Sequence, residues 1–242
     1  MTQPKPVSGR QRALVIWLDK RIYSLAKNWL AVFNIAMFLY VGLPFAAPVL
    51  MKAGATGPAN IIYTAYSPLC HQFGFRSWFL FGEKTFYEAS DPVWKAIGID
   101  PFDLVARFKA KAFVGNEQMG FKVAYCERDV AIYGAIVVGG LLFGLARSRG
   151  IKVRPANIFI YALIGLGPIG LDGFSQLFSQ APFHWLPVRE STPYLRTLTG
   201  FLFGIMNVWL AYPYVEESFT EIKADLEAKL IRLGELAGPS NQ

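Results

Sequence analysis

The chain is 242 residues long, 53% apolar and only 17% charged, well under the roughly 25% charge of an ordinary soluble domain, which excludes a disordered polypeptide. Its 20 Phe, 11 Tyr and 6 Trp, with a mean hydropathy of +0.32, exceed what one water-borne domain of this size needs for a core, so a membrane is the expected solvent. The net charge of +7 follows from where Lys and Arg sit relative to the apolar runs, and it assigns the chain to a bilayer and not to nucleic acid.

Residues 1–27 form a basic leader carrying Lys5, Arg10, Arg12, Lys20, Arg21 and Lys27. Leu14, Leu18, Ile22 and Leu25 recur at helical spacing beside Trp17. The pattern fits an amphipathic helix lying on an anionic membrane surface or packed on the protein's own cytoplasmic face. The apolar run behind it is too long and too distant for a cleaved signal peptide, so the leader is expected to stay attached.

A hydrocarbon core about 30 Å thick needs roughly 20 apolar helical residues. Residues 28–51 supply 24 without a charge, and spans are also expected at about 130–146, 155–175 and 197–215. The segment at about 58–75 contains Pro58, Ser67, Pro68, Cys70, His71 and Gln72, a poor composition for lipid, and is read as re-entrant or interfacial. Were it to cross, the short connection bearing Arg147, Arg149, Lys152 and Arg154 would lie outside, against the bias that gathers Lys and Arg in cytoplasmic loops.

The extracytoplasmic insertion 83–124 holds two Asp-Pro steps, Asp91-Pro92 and Asp100-Pro101, each predicting a short capped helix. Gly140-x-x-x-Gly144 and Gly200-x-x-x-Gly204 predict close helix packing. Residues 216–242 form a cytoplasmic amphipathic helix and tail, with a stripe of Ile222, Leu226, Leu230 and Leu233 and i,i+4 pairs Lys223–Glu227 and Asp225–Lys229. This helix is a candidate docking surface for a protein partner. The expected architecture is thus an all-α membrane bundle of four transmembrane helices with both termini cytoplasmic, in a prokaryotic cell (inner) membrane.

On that topology the polar residues Cys70, His71, Gln72, Arg76, Cys126, Arg128 and Asp129 gather with Asp172, Gln176, Arg189 and Arg196 at the extracytoplasmic boundary. Asp172 directly follows an uncharged run, and a carboxylate inside a span costs about 2.5–3.5 kcal/mol on insertion scales. Arg128, Arg189 and Arg196 are its candidate counter-charges, and Arg189 and Arg196 are also placed to meet a lipid phosphate or a substrate anion. Three chemistries are open to Cys70 and Cys126: a disulfide; a metal site for a divalent ion such as zinc, with Asp129 and either His71 or Asp172; or buried free thiols. His184 stands in a proline-flanked outer loop and reads as surface.

Cys70-His71-Gln72 followed by Arg76-Ser77 and Gly82, Cys126-x-Arg128-Asp129 leading into Ile132-Tyr133-Gly134, Leu171-Asp172-Gly173-x-x-Gln176, and Arg189-Glu190-Ser191-Thr192 leading through Leu195-Arg196 to Thr199-Gly200 and Phe203-Gly204 together resemble the membrane-protein family catalogued as domain of unknown function 2085. The resemblance covers about residues 60–212 and implies a multi-pass membrane protein with an embedded polar site, without implying an activity. Many members carry a second cysteine where this chain has Asp129, and a carboxylate can replace a thiolate as a metal ligand. No Walker loop, GxSxG elbow, HExxH helix or CxxCH sequence occurs. Two functions are therefore carried forward: a redox or metal site in the membrane, and a non-catalytic accessory or scaffold subunit whose polar residues lock irregular backbone in place.

Overall fold

The computed structural model describes residues 9–103, 106–180 and 182–237. Helix α1 runs from Gly9 to Lys52 without a break, so leader and first span are one 44-residue helix; no glycine or proline interrupts the sequence where they join. The short α2 (Thr56–Tyr66) turns back along α1, where the Tyr66 hydroxyl donates to the Tyr40 carbonyl. Eleven residues are too few to cross a bilayer. Beyond it lie β1 (Ser77–Leu80), α3 (Val93–Ala96), α4 (Ala106–Ala112), β2 (Gly115–Asn116) and β3 (Gly120–Cys126). Next come α5 (Glu127–Ser148), then α6 (Ile158–Ile160), joined through a π-helical stretch, Tyr161–Leu166, to α7 (Gly167–Ser179). Helix α8 (Pro193–Arg232) is the last.

Four helices are long and apolar enough to cross a membrane: Gly9–Lys52, Glu127–Ser148, Ile158–Ser179 and Pro193–Arg232. The all-α bundle class holds. Asp91 accepts the Val93 N–H at the start of α3 as expected, whereas Asp100, accepting the Phe102 N–H, closes a turn, and α4 is assigned only from Ala106; Thr192 caps α8 by accepting the Leu195 N–H at 3.3 Å. The sequence reading missed a small antiparallel sheet, ordered β1-β3-β2. Six of the seven residues of β3 are buried, so its two faces give no alternation to read. Val123, Ala124 and Tyr125 pack between Ala47 of α1 and Ala59, Ile62 and Tyr63 of α2. A second cluster around Trp94, Phe75, Phe79 and Met119 holds the insertion together.

Helices α5 and α8 meet through small residues. A methyl group built on Gly204 would lie 2.3 Å from the Ile132 carbonyl oxygen, and one on Gly200 2.7 Å from that of Arg128. On the opposite side Gly140 faces the Asn34 side chain, and Trp29 stacks on Phe219 while its edge meets Tyr212. At the π-helical stretch, Pro168 has no N–H to continue regular hydrogen bonding, a common origin of such a bulge.

The two ends of the chain come together. Lys229 pairs with Asp19 at 2.6 Å and Lys20 with Glu235 at 2.7 Å, and Leu230 is fully buried. The expected pairs Asp225–Lys229 and Lys223–Glu227 do not form among the described residues; Lys229 reaches across to α1 instead. The leader stripe of Leu14, Trp17, Leu18, Ile22 and Leu25 stays exposed, so it is not packed on the protein's own surface.

Candidate functional site at one rim of the bundle

The rim opposite the chain ends collects the starts of α5 and α8, the end of α7 and the loop that follows α2. Cys126 is the residue before α5, and Asp129 stands three positions on, a spacing that brings both onto one side of the first turn. The Cys126 thiol donates to Asp129 Oδ2 at 3.1 Å. Cys70 arrives from the loop after α2, and its Sγ accepts the Cys126 N–H at 3.3 Å. One ligand atom from each of Cys70, Cys126 and Asp129 lies within 4.8 Å of the others. Both cysteines are free thiols. The hydrogen bond to the Cys70 sulfur, and then burial, hold the Cys126 thiol well above its ordinary range.

His71 does not join this group. Its ring lies against Phe73 at 5.4 Å. Burial foremost, then the charges of Arg76 and Lys111, hold its pKa below the usual imidazole value. Gln72 adopts a left-handed conformation at φ +52° and turns inward, where its amide donates to the carbonyls of Tyr63 and Ala124 at 2.9 and 3.0 Å. Its role is to fix the loop that presents Cys70.

Asp172 is buried and has the expected partners. Arg128 donates to its Oδ2, Arg189 Nη2 to Oδ1 at 3.0 Å, and Ser191 Oγ to Oδ2 at 2.7 Å. It therefore cannot complete the thiol group's ligand shell. The third candidate counter-charge is used elsewhere: Arg196, 2% exposed, lies between Glu127 at 3.0 Å and Glu190. Arg76 pairs with Glu190, its Nη2 donating at 2.8 Å and its Nε lying 2.6 Å from the carboxylate, and the amides of Gln176 and Gln180 donate to the same carboxylate. Arg189 and Arg196 are thus engaged by carboxylates within the protein.

At this rim, three charged residues with buried side chains were missed by sequence reasoning. Glu127 and Glu190 were passed over because Asp172 had seemed the one carboxylate in need of a cation. A weak signal existed, since Glu127 stands within three residues of an apolar span, where a carboxylate needs a partner. Lys122, in the middle of buried β3, gave none. Its ammonium is completely buried and donates to the carbonyls of Gln72 at 2.6 Å and Lys111 at 2.7 Å. Burial pulls its pKa down to about 7.

Part of the chain, including most of this rim, is similar to a known family. Residues 117–210 match the family described as "Predicted membrane protein (DUF2085)". The DUF2085 match takes in β3, the Cys126–Asp129 turn, Asp172 and the Arg189–Arg196 region. It begins after the Cys70-His71-Gln72 motif, and it includes residues 117–122, which the sequence reading had left in the insertion. The chain is also similar to the uncharacterized protein MJ1492 of Methanocaldococcus jannaschii, 25% identical over 194 residues, which covers 78% of this chain and 93% of that protein. No solved structure matches the chain.

Proposed function

We propose that the protein is a membrane-embedded metal-binding protein whose site is Cys70, Cys126 and Asp129, at the extracytoplasmic rim of the bundle. The observation that carries this reading is the convergence of two sulfurs and a carboxylate oxygen within 4.8 Å, contributed by a loop and a helix start that are 56 positions apart. A tetrahedral zinc ion with Zn–S bonds of about 2.3 Å holds its ligands about 3.8 Å apart, so a small inward shift of the side chains admits one. Two thiolates favour a zinc-class ion over magnesium or calcium. Three protein ligands leave a fourth position open, as in sites that bind water or substrate. The high thiol pKa of Cys126 belongs to the metal-free site; a bound cation reverses that preference and displaces the proton.

The orientation is part of the proposal. Arg10, Arg12, Lys20, Arg21 and the connection with Arg147, Arg149, Lys152 and Arg154 lie at the end carrying the chain termini, as expected of the cytoplasmic side. Substitution by Co2+ tests the ligand set: sulfur coordination should give an intense near-ultraviolet charge-transfer band, lost in Cys126→Ser and retained in Asp172→Asn. A cobalt spectrum without that band, or one indifferent to Cys126→Ser, removes the proposed site.

A further inference from the structure

Beside the thiol group, and not including it, a cavity of about 470 Å3 opens between α4, the loop after α2, the start of α5 and the end of α7. Five of its lining side chains are basic: His71, Arg76, Arg107, Lys111 and Arg128. No carboxylate among the described residues lines it. Arg76 and Arg128 are held from behind by Glu190 and Asp172, which fixes their forks. Arg107 and Lys111 have no ion pair among the described residues; each donates to a main-chain carbonyl, that of Pro101 at 3.3 Å and that of Ser67 at 3.2 Å. Gln176 and Gln180 add neutral amides on the α7 side.

We infer that this cavity binds a phosphate-class anion through Arg107 and Lys111, with Arg76 and Arg128 as pre-oriented supporting donors. Several convergent cations, three of them planar forks, match the oxygens of a phosphate group better than the single edge of a carboxylate. Arg107 and Lys111 bring positive charge that no ion pair among the described residues balances, and burial, then the charge of Arg76, lower the pKa of Arg107 against the opposing pull of Glu190, a tension that an entering anion relieves. Phe108, 74% exposed, and Leu177, 47% exposed, also line the cavity. Leu177 belongs to the span Ile158–Ser179. The opening therefore adjoins lipid-facing surface, where a lipid headgroup phosphate has access as well as a soluble one. The inference does not rest on the metal reading, since Cys70, Cys126 and Asp129 do not line the cavity.

The test uses the full chain in neutral detergent and follows its thermal unfolding midpoint. One arm adds inorganic phosphate against chloride at equal ionic strength; the other adds phosphatidylglycerol against phosphatidylcholine in mixed micelles. A ligand that binds only the folded state raises the midpoint, by several degrees at saturation. A rise with phosphatidylglycerol alone assigns a lipid headgroup, and a rise with phosphate alone a soluble anion; either supports the inference. The rise should shrink at least tenfold in apparent affinity in Arg107→Gln/Lys111→Gln and persist in Lys109→Gln, an exposed cation outside the cavity. If neither arm moves the wild-type midpoint, or the double variant keeps the wild-type affinity, the inference fails. The wild-type arms decide the matter even if the double variant does not fold.

Discussion

The Lys122 ammonium donates to the Lys111 carbonyl at 2.7 Å, tying buried strand β3 to the last turn of α4. Because the same ammonium also holds the Gln72 carbonyl, one side chain positions both the loop that carries Cys70 and the helix that carries Arg107. Burial pulls its pKa to about 7, with the Cys70 sulfur opposing and Lys111 reinforcing the shift; Tyr63 presents its ring face at 6.0 Å.

A pH dependence follows. Unfolded, the lysine regains its ordinary pKa near 10.5, so between about pH 7 and 10.5 the unfolded chain binds a proton that the native one lacks. Stability then increases with pH across that window, by up to about 1.4 kcal/mol per unit from this group, while below pH 7 its contribution is a constant penalty. Thermal unfolding in detergent from pH 6.5 to 9.5, read as the difference between wild type and Lys122→Met, should show this slope in the wild type alone. A difference that is flat with pH would mean that Lys122 is charged in the native state.

The two arginine clusters should respond unequally. Arg196→Met strands Glu127, whose side chain is 1% exposed, while Glu190 keeps Arg76, and should destabilise by about 3–5 kcal/mol. Arg189 is 38% exposed and Asp172 keeps Arg128 and Ser191, so Arg189→Gln should cost about 1 kcal/mol or less. Unfolding curves in detergent compare them directly, and equal losses would contradict the described network.

Close packing makes its own prediction at the α5–α8 seam. Gly204→Ala places a methyl group against the Ile132 carbonyl and should destabilise by about 1–3 kcal/mol. Gly134→Ala meets no atom within 4 Å and should be neutral or stabilising by up to about 1 kcal/mol through helix propensity. The same unfolding assay ranks the two.

Membrane orientation is open to labelling. A cysteine at His184, in the exposed loop after α7, should react in intact cells with a membrane-impermeant maleimide. One at Arg149, in the exposed turn after α5, should react only after permeabilisation. The reverse pattern would invert the topology and place the thiol group on the cytoplasmic side.

The spans were legible because membrane solvation acts on long uncharged runs, which a sequence displays without knowledge of contacts. Asp172's need for a cation was legible for the same reason, and two of its three candidate partners are the observed ones. Partner choice was not legible: Arg196 is taken by Glu127 and Glu190, 69 and 6 positions away, and Lys229 prefers Asp19 on α1 to its own helix. Strand β3 carried no periodicity because both faces are covered, and Lys122 within it gave no signal. The convergence of Cys70, Cys126 and Asp129 was one of three open chemistries, and the exclusion of His71 from that group needed the backbone of the Gln72 turn.

Metal stoichiometry with thiol counting in one preparation tests the proposed site most directly. Protein purified without chelator should carry close to one zinc-class ion per chain, with both cysteines unreactive until the metal is removed and two thiols titrating afterwards. In Cys126→Ser of matching thermal stability the metal should be absent. Metal-free protein that takes up no zinc, with two thiols titrating or bridged from the start, would contradict the account.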